Sequence, residues 1–78
     1  MKKDITLKDI KPGQTIKVIN ISGQGPLRRR LIDMGITPGV NIFVRKIAPL
    51  GDPIEVNLRG YELTLRNEIA KNIKVIKI

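Results

Sequence analysis

The stretch Gly25-Pro26-Leu27-Arg28-Arg29-Arg30-Leu31-Ile32-Asp33-Met34-Gly35-Ile36-Thr37-Pro38-Gly39 decides how the rest of this chain is read. It alone carries a helix start, a helix stop and an unusual charge pattern. Pro26 suits the first helical position, where its missing N–H has no intrahelical acceptor, and Gly35 suits the left-handed residue past the last turn. These signals predict a helix of roughly two and a half turns. Leu27, Leu31 and Met34 stand at i, i+4 and i+7 and share one face with Ile32 beside them, while Arg28, Arg29 and Asp33 turn to the other side. Three arginines on the first turns oppose the helix macrodipole, whose positive end lies there. Asp33 offers Arg29 and Arg30 partial relief, in the less favourable order. The apolar stripe must cover something, and the remaining residues read as short strands that it can cover.

On the N-terminal side, Met1 to Asp4 is a polar lead, and Thr6 is expected to cap a single helical turn with Asp9 in its acidic first-turn position. Leu7 and Ile10 then point inward. Pro12-Gly13 is the central pair of a type II turn. It launches a strand over 15–21, in which Ile19 and Ile21 break the alternation and imply burial on both sides or a bulge. Ser22-Gly23-Gln24-Gly25 links this strand to the helix. It lacks the third glycine and the Lys-Ser or Lys-Thr of a nucleotide-binding loop, and reads as a plain connection.

On the C-terminal side, Thr37-Pro38-Gly39-Val40-Asn41-Ile42-Phe43-Val44 repeats the pattern of Lys11-Pro12-Gly13-Gln14-Thr15-Ile16-Lys17-Val18, so the same kind of turn launches a second strand. Ala48-Pro49-Leu50-Gly51-Asp52-Pro53 is a loop, because two prolines and a glycine deny it helix and central strand alike. Leu50 at its tip is expected to tuck back onto the core, with presentation to a partner as the alternative. Residues 54–58 and 61–65 alternate as two strands joined by a tight Arg59-Gly60 hairpin. Asn67 is expected to cap one more helical turn through Asn72, with Glu68 at its positive end, before a closing strand of Ile73, Val75 and Ile78. The predicted fold is mainly β. It is a small, partly open SH3-like barrel of about five strands, with one short α-helix between the first two strands and one or two isolated helical turns.

Composition narrows the function. The 78 residues make a single domain, spanning 1–78, that hides only about 60 to 65% of its unfolded surface. No run of ~18 apolar residues spans a membrane and no secretory signal is present, so a soluble, cytoplasmic chain is expected. With no cysteine and no histidine, there is no disulfide framework, no thiolate or imidazole metal site and no imidazole to activate Ser22 or a threonine. No catalytic residue, metal ligand or cofactor site is assigned, and an enzyme is not expected. Fifteen Lys and Arg against seven Asp and Glu leave a net charge of +8. That charge is either a solubilising surface or a field favouring an acidic partner. Only Phe43 and Tyr61 are aromatic, which leaves little for stacking on single-stranded nucleic acid.

Three segments in order carry a wider likeness: Gly25 to Gly39, then Arg45-Lys46-Ile47-Ala48-Pro49-Leu50-Gly51-Asp52-Pro53, then Arg59-Gly60-Tyr61-Glu62-Leu63-Thr64-Leu65-Arg66. Together they resemble the FeoA family of ferrous iron transport proteins, from Leu7 onward. Related domains form the C-terminal SH3-like part of some iron-dependent repressors, and the stand-alone form is preferred here. The resemblance implies a small cytoplasmic accessory or regulatory protein of ferrous iron uptake. It would act by protein–protein binding to FeoB, the membrane permease with a cytosolic GTP-binding domain, and so sit at the inner face of the membrane through its partner.

With that partner, the helix gains a role to test. Arg28 and Arg29 are the candidate contacts to acidic groups, and Leu27, Leu31 and Met34 the candidate apolar contacts, alongside Leu50. The competing expectation for the arginines is a solvated face, and for the stripe, core. Leu31, at the centre, is expected to serve both core and docking. The alternative class is a basic SH3-like nucleic-acid-binding module, whose affinity would fall steeply with salt. A metallochaperone would have to hold ferrous iron with Asp33, Asp52, Glu55, Glu62 or Glu68 alone, and no tight site is expected.

Overall fold

The computed structural model describes residues 5–23 and 25–78. The polar lead and Gln24 of the link into the helix lie outside the described residues. Five strands, β1 (Thr15–Ile21), β2 (Asn41–Ile47), β3 (Ile54–Leu58), β4 (Tyr61–Leu65) and β5 (Ile73–Lys77), form one sheet in the order β4-β3-β2-β1-β5. Every neighbouring pair is antiparallel. Helix α1 (Gly25–Asp33) joins β1 to β2, the short helix α2 (Asn67–Ala70) joins β4 to β5, and a 3-10 turn (Leu7–Asp9) precedes β1. This is the mainly β, SH3-like arrangement with an open seam that the strand spacing predicts.

Alternation along the strands builds the core. Ile16 and Val18 of β1, Ile42 and Val44 of β2, and Ile54, Val56 and Leu58 of β3 all face inward and are buried. Leu7, Ile10 and Leu31 close over them, as side chains of one face must when the sheet curls. The irregularity at Ile19 resolves as a bulge. Register against β5 shifts between Val18 and Asn20, which leaves Ile19 47% exposed and returns Ile21 to the interior.

The two Pro-Gly turns do more than start strands. Gly13 and Gly39 take φ of +90° and +95°, and each turn closes with an i to i+3 bond, Gln14 N–H to Lys11 O at 3.3 Å and Val40 N–H to Thr37 O at 3.1 Å. Each then pairs with the strand launched by the other. Gly13 N–H donates to Val44 O and Gly39 N–H to Val18 O, both at 2.7 Å. Since Val18 and Val44 occupy the same place in the sequence repeat, the repeat is a local pseudo-two-fold built into the β1–β2 pair.

Several end assignments need correction. Helix α1 begins at Gly25, which makes Pro26 its second residue; proline is tolerated there because first-turn N–H groups have no intrahelical acceptor. The 3-10 turn is the exception: Thr6 is its cap and Asp9 lies in its first turn as expected, with the Asp9 carboxylate accepting from the Thr6 N–H at 3.0 Å and from its hydroxyl at 3.3 Å. Arg66, not Asn67, is the cap of α2, and α2 ends at Ala70. Asn67 is instead committed to the 48–53 loop. Ile78 falls one residue past β5 and is 72% exposed.

Candidate functional site

Helix α1 is fixed at its C-terminal end by backbone geometry. Gly35 has φ +92°, its N–H donates to Ile32 O at 2.9 Å, and the Ile36 N–H donates to Leu31 O at 3.0 Å. This double bond set with a left-handed glycine is the Schellman stop that the sequence signals, and Ile36 is buried in the same core cluster as Leu31. The Tyr61 hydroxyl donates to the carbonyl oxygen of Met34, which ties the same end to the start of β4. A Cβ on Gly35 would lie 2.9 Å from that hydroxyl, so glycine serves both the turn and the close approach. At the other end, Gly23 lies beside the Leu27 side chain and near that of Asn72. The helix thus runs antiparallel to β4 across the open seam between the two edge strands.

The predicted contact residues divide by burial. Leu31 is only 1% exposed and belongs to the core, whereas Leu27 and Met34 are half-buried against it. Arg28, Arg29, Arg30, Ile32 and Asp33 are exposed. Between the helix and the barrel lies a groove of about 120 Å³, walled by Leu27, Arg30, Leu31 and Met34 on one side and by Thr64 and Leu65 of β4 with Ile69 of α2 on the other. Arg30 is the residue that sequence reading left without a role. It sits at i+3 from Leu27 and four before Met34, hence on the stripe's own face, and only its charge hid it.

Among the described residues the charges along α1 have no ion-pair counterpart. Among the described residues the ion pairs are Arg45 with Glu62 and Lys46 with Glu55 at 3.7 Å, and neither involves α1. Asp33 does not reach Arg29 or Arg30 as an ion pair. The other carboxylates are dispersed as well: Asp52 accepts from the Asn67 N–H at 3.0 Å, Asp9 from Thr6. Among the described residues no three acidic side chains gather as a metal site would require.

Leu50 does not tuck back; it is 95% exposed. The loop beneath it is tightly bonded. Gly51 N–H donates to Ala48 O at 2.7 Å and Ala48 N–H to Pro53 O at 3.1 Å, while the Asn67 side chain donates to Gly51 O at 2.6 Å. Asn67 therefore occupies the inward side of the loop, and Leu50, third in the Ala48–Gly51 turn, is left projecting outward. The loop and the groove share α2 as their support, since Asn67 holds one and Ile69 walls the other.

Residues 5–77 match the model of the FeoA domain. A curated relative from Porphyromonas gingivalis, an Fe(2+) transport protein A/Fe(2+) transporter FeoB fusion protein, is 33% identical over 69 residues, covering 88% of this chain. The match takes up 8% of that much longer protein. Among solved structures, an FeoA-like protein from Clostridium acetobutylicum is 42% identical, with a TM-score of 0.89 over 100% of this chain and 91% of that one. An FeoA protein from Chlorobium tepidum is 39% identical, with a TM-score of 0.87 over 95% of this chain and 70% of that one. No helix among the described residues is long and apolar enough to cross a membrane.

Proposed function

The chain belongs to the FeoA family, whose members take part in ferrous iron transport, and on that premise we propose that it is an accessory, regulatory subunit that works by binding the membrane transporter FeoB from the cytoplasmic side. The observation that carries this reading is the fusion relative, in which a segment similar to this chain and an FeoB transporter are one polypeptide. Domains joined covalently in one protein work at high effective concentration of each other, and separate chains of the same kind reach that proximity by binding. The chemistry of this chain suits such a role. It brings no histidine or cysteine to catalysis or metal binding, and it does present a surface.

That surface is the outer half of α1 with the groove behind it. Arg28 and Arg29 meet acidic groups of the transporter, Arg30 stands at the groove wall, and Leu27 and Met34 offer their uncovered halves. Leu31 supports the groove floor from within the core, so its contribution to docking is through position. Leu50 is a separate anchor on a rigid loop, of the kind that a pocket on a partner accepts at low entropic cost.

The reading is tested by co-purification of this protein with affinity-tagged FeoB in detergent, followed by titration of the purified pair. Saturable binding that weakens with added salt is expected. Failure of the tagged transporter to retain the protein at any salt concentration would overturn it.

A further inference from the structure

The groove is bordered on one side by a sheet edge, and that edge is open. Arg59 (φ +49°) and Gly60 (φ +85°) form a two-residue type I′ hairpin, in which the flanking pair Leu58 and Tyr61 exchange hydrogen bonds. Antiparallel alternation then assigns Tyr61, Leu63 and Leu65 to bonding with β3, and turns the N–H and C=O of Glu62 and Thr64 away from the sheet. Among the described residues those outward groups have no backbone partner. The opposite edge is treated differently. The Val75 N–H donates to Ile5 O at 2.9 Å and Thr6 bridges to Lys74, so Ile5 and Thr6 cover part of the β5 edge.

β4 also lacks the usual devices that keep an edge from pairing. Tyr-Glu-Leu-Thr-Leu contains no proline, lysine or glycine, and its register with β3 is unbroken. Its one charged side chain, Glu62, is already paired with Arg45. Thr64 walls the groove although its side chain belongs to the opposite face from Leu63 and Leu65, which places its edge backbone at the groove mouth. An open edge strand facing an antiparallel helix, with an apolar floor between them, is the geometry in which domains bind an extended peptide as an added strand.

We propose that β4 is a strand-addition site: an extended segment of the transporter pairs with the outward groups of Glu62 and Thr64 and lies between β4 and α1. This rests on the transporter reading above and specifies how the partner is held. Charge complementarity defines the segment. Its alternate side chains that face the groove are apolar, to cover Leu27, Met34 and Ile69, and it carries Asp or Glu toward α1, where Arg28, Arg29 and Arg30 have no carboxylate partner among the described residues. Four outward backbone groups on two residues accommodate a segment of about five residues, the length of β4.

Amide hydrogen exchange on the protein alone and in complex with detergent-solubilised FeoB tests this directly. The amides of Glu62 and Thr64 exchange rapidly in the free protein and slow at least tenfold, roughly, in the complex. Those of Tyr61, Leu63 and Leu65 are protected in both states and serve as internal references. Thr64→Pro removes only an outward N–H, which an edge strand tolerates, and is expected to weaken binding about tenfold while Thr64→Ala leaves it unchanged. Binding by the parent protein with Glu62 and Thr64 amides still in rapid exchange would overturn strand addition and leave the transporter reading standing. Absence of binding by the parent overturns both.

Discussion

At Gly35 two independent demands meet, and the sequence shows only one of them. A glycine after an apolar helical stripe signals a left-handed stop; that Tyr61 would crowd any side chain there depends on β4 coming to lie under the helix end, which is a tertiary fact. Gly35→Ala has to adopt φ near +92° and push the Tyr61 hydroxyl from the Met34 carbonyl. A loss of about 1–2 kcal/mol is expected in urea denaturation, from the left-handed alanine and the weakened bond together. Asn67 shows the opposite limit of sequence reading. Its type is right for a helix cap, but its side chain is used 16 residues back in the sequence, on Gly51, and nothing local announces that.

Among the elements, the strands were the most legible. β1 matches the predicted span of 15–21, and β3 and β4 match 54–58 and 61–65, because clean alternation between turn residues has one reading when a single face is buried. Helix α1 was legible as an element and ambiguous as a surface. A stripe at helical spacing shows which residues share a face but not how deeply the face sinks, and here the same stripe runs from buried Leu31 to half-buried Leu27 and Met34. The 48–53 loop was legible as a loop, yet the direction of Leu50 was not, since it depends on Asn67 filling the space beneath. That loop carries its own prediction. Leu50→Ser removes no packing and is expected to change folding stability by less than about 0.5 kcal/mol, while lowering affinity for FeoB by about fivefold or more. Thermal melts and a binding titration on the same preparations separate the two effects. Equal affinity would remove Leu50 from the interface.

For the whole molecule, shape and charge lead to the same face. An SH3-like sheet whose two edge strands are joined by α2 leaves a seam, and α1 lies across it with its apolar stripe inward, Arg28 and Arg29 outward and Arg30 at the groove wall. With a net charge of +8, the protein approaches an acidic partner under attraction that falls with ionic strength. The arginines are poorly placed for the helix they sit on, and their removal should cost the fold nothing. The most direct measurement is therefore the affinity of the Arg28→Glu, Arg29→Glu double variant for purified FeoB beside its melting temperature. The two changes lower the net charge from +8 by four, and at the positive end of α1 each is worth about 0.3–1 kcal/mol in favour of folding. The account predicts a melting temperature equal to or above the parent's with affinity reduced at least about tenfold; undiminished affinity in a folded variant would contradict it.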